Sequence, residues 1–180
     1  MNTDNIERYL NSFGKYIVQQ SRTNLTKGKK NVNKDLYNSI KFDIESDSNG
    51  FTVNFYMLDY GTFIDKGVSG NRKTQSFKNY EGKVIPSPYK YTTKQPPSGI
   101  LEKWISARGI KGRDKETGRF ITNKSLSFLI AKKIKRDGIK GISFFQRPLQ
   151  LAFKRFGEQL LSMVAEDVKN SIKDSTKDLK

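Results

Sequence analysis

A switch to two-residue periodicity between residues 39 and 57 constrains the fold of this chain most. Apolar and polar residues alternate from Ile40 to Ile44 and again from Phe51 to Met57, with the turn-rich stretch SDSNG between the two runs. Successive side chains of a strand point to opposite faces, so each run places its apolar residues on one face. The pattern predicts a β-hairpin with one buried face, which other elements must cover.

Helical spacing of apolar residues occurs in four other stretches. Residues 4–25 carry Ile6, Leu10, Phe13 and Ile17 at intervals of four, three and four, which predicts an amphipathic first helix. The same spacing predicts short helices at 98–109 and 124–136 and a long helix that starts near Pro148.

Flanking residues indicate how these helices begin, end and pack. Thr3 or Asp4 would cap the first helix and Ser98 the first short helix, which Gly109 would end. Trp104 falls on the apolar face of its helix and Leu129 on that of the next, so both are expected to face inward.

The order of elements predicts an α+β fold in a single domain, residues 1–180. A small antiparallel β-sheet, based on the hairpin, would be packed by the N-terminal helix, two short helices and the long C-terminal helix. Residues 68–97 are expected to form an extended arm that orders against a neighbouring subunit, because so long a connection is unusual in a compact domain. Residues 111–123 are interpreted as an insertion loop with a turn at its tip, and 173–180 as a frayed tail.

The residue types in the chain exclude several kinds of chemistry. It has no cysteine and no histidine, which excludes disulfides, thiol catalysis, Cys/His zinc sites and Ser-His-Asp triads. The remaining candidate carboxylates form no close cluster: Asp59, Asp65, Glu81, Asp114 and Glu116. We therefore expect no catalytic residues, no metal and no cofactor, and a protein that is not an enzyme.

The charge of the chain indicates the kind of partner it meets. It has 34 Lys and Arg against 18 Asp and Glu, a formal charge of +16, which attracts nucleic acid or acidic protein. Basic runs lie at 27–34, 72–78, 111–119 and 132–140, and each also fits a solvated surface. No apolar run approaches the roughly 18 residues of a membrane-spanning helix, so no membrane partner is expected. The candidates for contact with an acidic partner or DNA are Lys111, Arg113, Lys115 and Arg119.

Three segments, in order along the chain, carry a resemblance to a known family. The segment KDLYNSIKF contributes Leu36, Ser39 and Ile40. The segment LDYGTFIDKGVSG contributes Tyr60, Phe63, Ile64, Asp65 and Gly67. The segment GIKGISFFQRPLQLAF contributes Phe144, Phe145, Pro148, Leu149 and Ala152. Together they resemble the phage neck proteins typified by the tenth gene product of phage HK97, a head-tail joining or tail-completion family.

The resemblance implies a structural virion protein of a tailed bacteriophage. Such a subunit forms a homo-oligomeric ring between the portal-side adaptor and the tail, lines the passage for double-stranded DNA, and takes no small-molecule substrate. It would be located at the head-tail junction of the virion, and in the host cytoplasm during assembly. The candidates for the subunit interface are Tyr60, Phe63, Ile64, Asp65, Phe77, Tyr80, Tyr89 and Tyr91. Ser39, Ile40, Gly67, Phe144, Phe145 and Pro148 would build the fold.

Two other functions remain open on the sequence. The first is a stand-alone basic nucleic-acid-binding protein, for which the basic segment 131–140 could lie along a phosphate backbone. The second, less favoured, is a metal-dependent nuclease that uses Asp59 or Asp65, because hard cations require only oxygen ligands.

Overall fold

The fold combines helices with small antiparallel pairs of strands. A computed structural model describes residues 4–30, 33–47 and 50–177. The helices are α1 (Asp4–Lys27), α2 (Asp35–Ser39), α3 (Tyr60–Lys66), α4 (Ser98–Arg108), α5 (Asn123–Asp137) and α6 (Gln146–Lys177). The strands are β1 (Lys41–Asp47), β2 (Gly50–Tyr56), β3 (Val68–Ser69), β4 (Ser76–Lys78), β5 (Val84–Pro86) and β6 (Gly138–Ile139). The predicted α+β class is confirmed.

The predicted hairpin is formed by β1 and β2. Its antiparallel register sets Phe42 opposite Phe55 and Ile44 opposite Val53, so the apolar residues of both strands lie on one face. The Phe42 and Phe55 rings are 6.1 Å apart between centroids, and β1 packs on α1. The polar residues of the alternation form the opposite, solvent-facing side.

The core lies where α1, the hairpin and the start of α6 meet. Its buried residues are Val18, Leu25, Leu36, Ile40 and Phe144. The two long helices run antiparallel, because the Tyr9 hydroxyl donates to the Phe156 carbonyl at 2.6 Å while the Phe13 ring lies 5.8 Å from that of Phe153. Aromatic pairs of this kind add to the burial of apolar area. The predicted apolar stripe of α1 is confirmed, since Ile6, Leu10 and Ile17 are buried.

Two short helices and the course of residues 68–97 differ from the sequence-based expectation. Neither α2 nor α3 is long enough to show a helical period. The predicted extended arm folds back on its own chain: β3 pairs with β6, β4 pairs with β5, and Ser69 N donates to the Tyr89 carbonyl at 2.7 Å. These backbone hydrogen bonds are satisfied within the subunit, so the segment needs no neighbour to order it.

The helix caps and the α4–α5 pair match the sequence only in part. Gly109 ends α4 in the left-handed conformation, φ 62°, as predicted, but Ser98 is the first helical residue and caps nothing. Trp104 is 38% exposed and Leu129 54% exposed, so their inward placement was wrong. The reason is that α4 and α5 pack mainly on each other and leave one side of the pair uncovered.

The last helix is longer than predicted. α6 has 32 residues and reaches Lys177, a length of about 48 Å, so residues 173–177, placed in the predicted tail, are helical. The end of the predicted tail, 178–180, and the candidate cap Thr3 lie outside the described residues. No described helix combines the length and apolarity needed to cross a membrane.

Two glycines inside the long helices provide a matched test of this packing. A Cβ on Gly14 would lie 2.3 Å from the Phe42 ring, whereas one on Gly157 meets nothing within 4 Å. Alanine is favoured over glycine in a helix by roughly 0.5–1 kcal/mol. Urea denaturation should therefore show G157A stabilised by about that amount, and G14A destabilised by about 1–3 kcal/mol through overpacking. Equal effects of the two substitutions would contradict the close approach of α1 to the hairpin.

Candidate functional site

The three segments that carry the family resemblance meet at one junction in the fold. The first and second are joined through Ser39, whose hydroxyl donates to the Leu36 carbonyl at 2.9 Å and accepts from Leu58 N at 3.1 Å. The second and third are joined through Asp65. The junction therefore connects the beginning, middle and end of the chain.

Asp65 holds the start of α6 with its side chain. Its Oδ1 accepts from Phe145 N at 2.8 Å and from Gln146 N at 3.4 Å, and its carbonyl accepts from Ser143 N at 2.9 Å. The first amides of a helix have no partner within the helix, and the helix dipole favours an anion there. Asp65 therefore caps α6 from a segment 80 residues earlier in the sequence.

The environment of Asp65 suits a structural role. The residue is 2% exposed, and burial raises the pKa of its carboxyl, while hydrogen bonds from the Phe145 and Gln146 backbone partly oppose the rise. A carboxyl this deep, bonded to backbone amides, has no surface on which a substrate could reach it. A role as a subunit contact is also excluded for Asp65 in this conformation.

Gly67 and the buried residues of the third segment complete the junction. Gly67 has φ 74°, and a Cβ there would lie 2.5 Å from Gly141 N, so only glycine allows the two backbones this approach. Phe144 and Pro148 are fully buried, and the Phe145 ring lies 5.4 Å from that of Phe55.

The apolar and aromatic residues predicted for the subunit interface differ in how exposed they are. Tyr60, Phe63 and Tyr80 are each more than 40% exposed. Phe77 is buried in its own subunit, which corrects its placement in an arm that contacts a neighbour. Half-buried positions are held by Ile64, Tyr89 and Tyr91. Phe63 and Tyr89 form an edge-to-face pair with centroids 4.6 Å apart. The Phe63 side chain is therefore held in place within its own subunit.

The basic residues of the insertion lie on a loop tip, as expected for residues 111–123. The tip is a turn in which Asp114 Oδ1 accepts from Glu116 N at 3.1 Å and from Thr117 N at 2.8 Å. The Arg113 guanidinium lies 4.5 Å from the Phe120 ring centroid and Lys111 Nζ 5.8 Å from it. Lys115 and Arg119 are exposed. Because Asp114 and Glu116 lie among these cations, the tip is only weakly positive.

A denser cluster of cations forms where two other basic runs meet. Asn71 N donates to the Lys135 carbonyl at 2.9 Å and Arg72 N to the Arg136 carbonyl at 3.0 Å. These bonds bring the run at 72–78 alongside the end of α5. We call the exposed residues Arg72, Lys73, Lys133 and Arg136 the basic patch. The sequence showed both runs but carried no signal that they pair.

Exposed apolar side chains on the α4–α5 pair are a second feature that sequence reasoning missed. Ile100, Phe120 and Phe128 are more than half exposed. Ile100 lies on α4, Phe128 on α5 and Phe120 in the loop before α5, and sequence alone does not say whether an apolar side chain at such a position is covered.

One open depression of about 470 Å³ lies between α1 and β1 and is lined by Lys15, Arg22 and Tyr37 among others. Arg22 already donates to the carbonyls of Tyr37 and Ile40, at 3.0 and 2.9 Å. The Arg22 cation is thus engaged by the protein's own backbone.

Within residues 4–30, 33–47 and 50–177, no three Asp or Glu side chains lie close enough together to hold a metal ion. Comparisons with protein-family models, with curated proteins and with solved structures gave no match. A function for the chain must therefore be inferred from its own residues and their geometry.

The buried cap makes a prediction about pH. An aspartate has a pKa near 3.8, and that of folded Asp65 is higher. The folded state therefore binds the proton more tightly than the unfolded state, so the contribution of Asp65 to stability falls as pH rises from about 3.8 through the folded pKa. Urea unfolding from pH 3 to 7 should show this slope in the wild type and lose it in D65N.

Asp114 is the control for that experiment, because its hydrogen bonds from Thr117 and Glu116 lower its pKa. Its contribution has the opposite sign, present above pH 3.8 and lost as pH falls through the folded pKa. If D65N and D114N changed the pH profile in the same direction, the placement of Asp65 in a buried cap would be wrong.

Proposed function

We propose that this protein is a structural subunit of a tailed-phage virion, a neck or tail-completion protein that forms a homo-oligomeric ring at the head-tail junction. In that role it joins the portal-side adaptor to the tail and surrounds the path of the double-stranded DNA. It works by assembly and not by catalysis.

The observation that carries the proposal is the way the three resembling segments depend on one another. Ser39 binds the backbone at Leu58, and Asp65 binds the backbone at Phe145. The three segments, which are separated along the chain, thus pack together at one junction, and this supports treating them as parts of one motif. Their residues build a scaffold, which is what an assembly subunit requires of them.

The surface of the subunit also suits assembly. Tyr60, Phe63 and Tyr80 are exposed, and exposed aromatics are enriched at protein interfaces. In the described part of the chain β1 and β2 pair only with each other, which leaves open strand edges. A ring uses heterologous contacts, in which one face of each subunit meets a different face of the next.

The proposal predicts that the protein is a component of phage particles. Particles purified from a lysate of the strain that carries the gene should contain its peptides by mass spectrometry. Immunogold labelling should mark the single head-tail vertex. Detergent-opened particles belong in the experiment, because a ring inside the junction can be hidden from antibody. Absence of peptides and label from intact and opened particles alike would refute the virion role.

A stand-alone nucleic-acid-binding protein is the second candidate, and the charge of the chain favours it. Against the formal charge of +16, the described residues form two ion pairs, Lys83–Glu81 and Arg136–Asp137. Most cations are therefore available to phosphate.

This candidate predicts tight binding to free DNA. Fluorescence anisotropy with a labelled duplex should give micromolar or tighter affinity that falls steeply with salt, and R72E/K73E should reduce the steepness. The control is K115E, on the weakly positive loop tip. A neck subunit requires no affinity for free DNA, so its absence at physiological salt would remove this candidate.

A further inference from the structure

The outer face of β1 carries the acidic counterpart to the basic patch. Asp43, Glu45 and Asp47 alternate along the strand and are all exposed, and they span about 13 Å at strand spacing. Across the hairpin they face Asn54, Thr52 and Gly50. We call these three carboxylates the acidic face.

Two carboxylates of this face, Asp43 and Glu45, form no ion pair within the described residues. Asp43 accepts a hydrogen bond from the Tyr56 hydroxyl at 3.0 Å, and the nearby Lys41 lies over the Tyr56 ring, 5.8 Å from its centroid. Neither of the two ion pairs in the described chain involves Asp43 or Glu45. The two residues therefore keep their negative charge available to another molecule.

The basic patch is held rigidly and is short of anions. Asp137, a carboxylate next to the patch, is taken up by Arg136 through bonds of 2.8 and 2.7 Å. That leaves Arg72, Lys73 and Lys133 without an ion pair within the described residues. The pKa of Asp137 is lowered by Arg136 and further by Lys133 and Lys73, which agrees with their closeness.

We propose that the subunit contact of the ring joins the acidic face of one copy to the basic patch of the next. This inference rests on the proposed ring-forming function and names the surfaces through which the ring closes. The two surfaces lie on different elements of one chain, as a heterologous contact requires.

Charge explains why the occupant is a second copy. Two copies that each carry +16 repel at long range, and a self-contact must offset that repulsion where the subunits touch. Placing carboxylates of one copy on cations of the other does so. Binding of DNA would use the basic patch alone and would give the acidic face no role.

The absence of cysteine from the chain allows a direct test by cross-linking. T52C lies on the outer face of the hairpin opposite Glu45, and T74C lies next to Lys73 at an exposed position. Both keep every charge. Differently tagged T52C and T74C proteins, mixed at physiological salt with a short bismaleimide, should form a cross-linked heterodimer, because that salt screens the long-range repulsion more than the close charge pairs.

The matched control replaces T52C by S162C, an exposed position on α6, and should give little heterodimer with T74C. If the T52C and T74C pair gave no more heterodimer than this control at any protein concentration, the inference would be overturned.

Charge reversal sharpens the test. D43K/E45K reverses the acidic face and spares Asp47, which accepts from Gly50 N in the hairpin turn. R72E/K73E/K133E reverses the basic patch. Each variant, built into both cysteine proteins, should lower the heterodimer yield about tenfold, with an unchanged circular dichroism spectrum and Tm.

The mixture of the two reversed variants separates charge pairing from misfolding. T52C in the D43K/E45K background and T74C in the R72E/K73E/K133E background should regain the cross-link, because opposite charges again face each other. Failure of this rescue would overturn the inference. Loss of duplex binding in the patch variant with an unchanged cross-link would overturn it in favour of DNA as the occupant.

Particle incorporation distinguishes this inference from the function it rests on. If wild-type protein is found in particles but the charge reversals leave the cross-link yield unchanged, only the proposed contact surfaces are refuted. Wild-type protein absent from particles refutes the ring-forming role itself.

Discussion

The capping of α6 by Asp65 is the interaction on which the rest of the structure depends. A 32-residue helix begins where a buried carboxylate from the middle of the chain meets its first free amides. That cap is one of the contacts that position α6, which also packs Phe153 and Phe156 against α1. Since α1 also covers the hairpin, the cap helps to fix the three layers relative to one another.

The cost of burying this carboxylate is offset by backbone amides and not by a cation. Amides of α6 satisfy its oxygen, while burial raises its pKa. Burial accounts for the raised pKa of Asp65 without any catalytic role being needed to explain it. The exterior of the subunit carries exposed aromatics, an acidic strand and clustered cations, which are suited to contacts with other molecules.

Sequence patterns predicted those elements in which the alternation or helical spacing extends over enough residues to be recognised. The hairpin, α1, α5 and much of α6 follow from alternation or helical spacing over at least five residues. α2 and α3 are too short to show a period, and the fold-back of residues 68–97 depends on partners such as Gly138 and Ile139 that lie far away in the sequence. Trp104 and Leu129 were misplaced because spacing identifies an apolar face but does not say whether anything covers it. The sequence singled out Ser39 and Asp65, but it did not show their hydrogen-bond partners. It also did not show that Arg72 pairs with Arg136. Both depend on tertiary contacts that a local pattern does not encode.

The long sequence separation of the Asp65 cap has a consequence for the order of events during synthesis. On the ribosome, the hairpin and α3 emerge early, but the amides that Asp65 requires and the glycine backbone that Gly67 packs against belong to residues 141–146. Until that later part of the chain has been translated, the middle of the protein lacks its partner, and non-local contacts of this kind form late. A nascent or truncated chain that lacks residues 141–146 leaves Asp65 and Gly67 without these partners, so the cap ties completion of the core to translation of the start of α6.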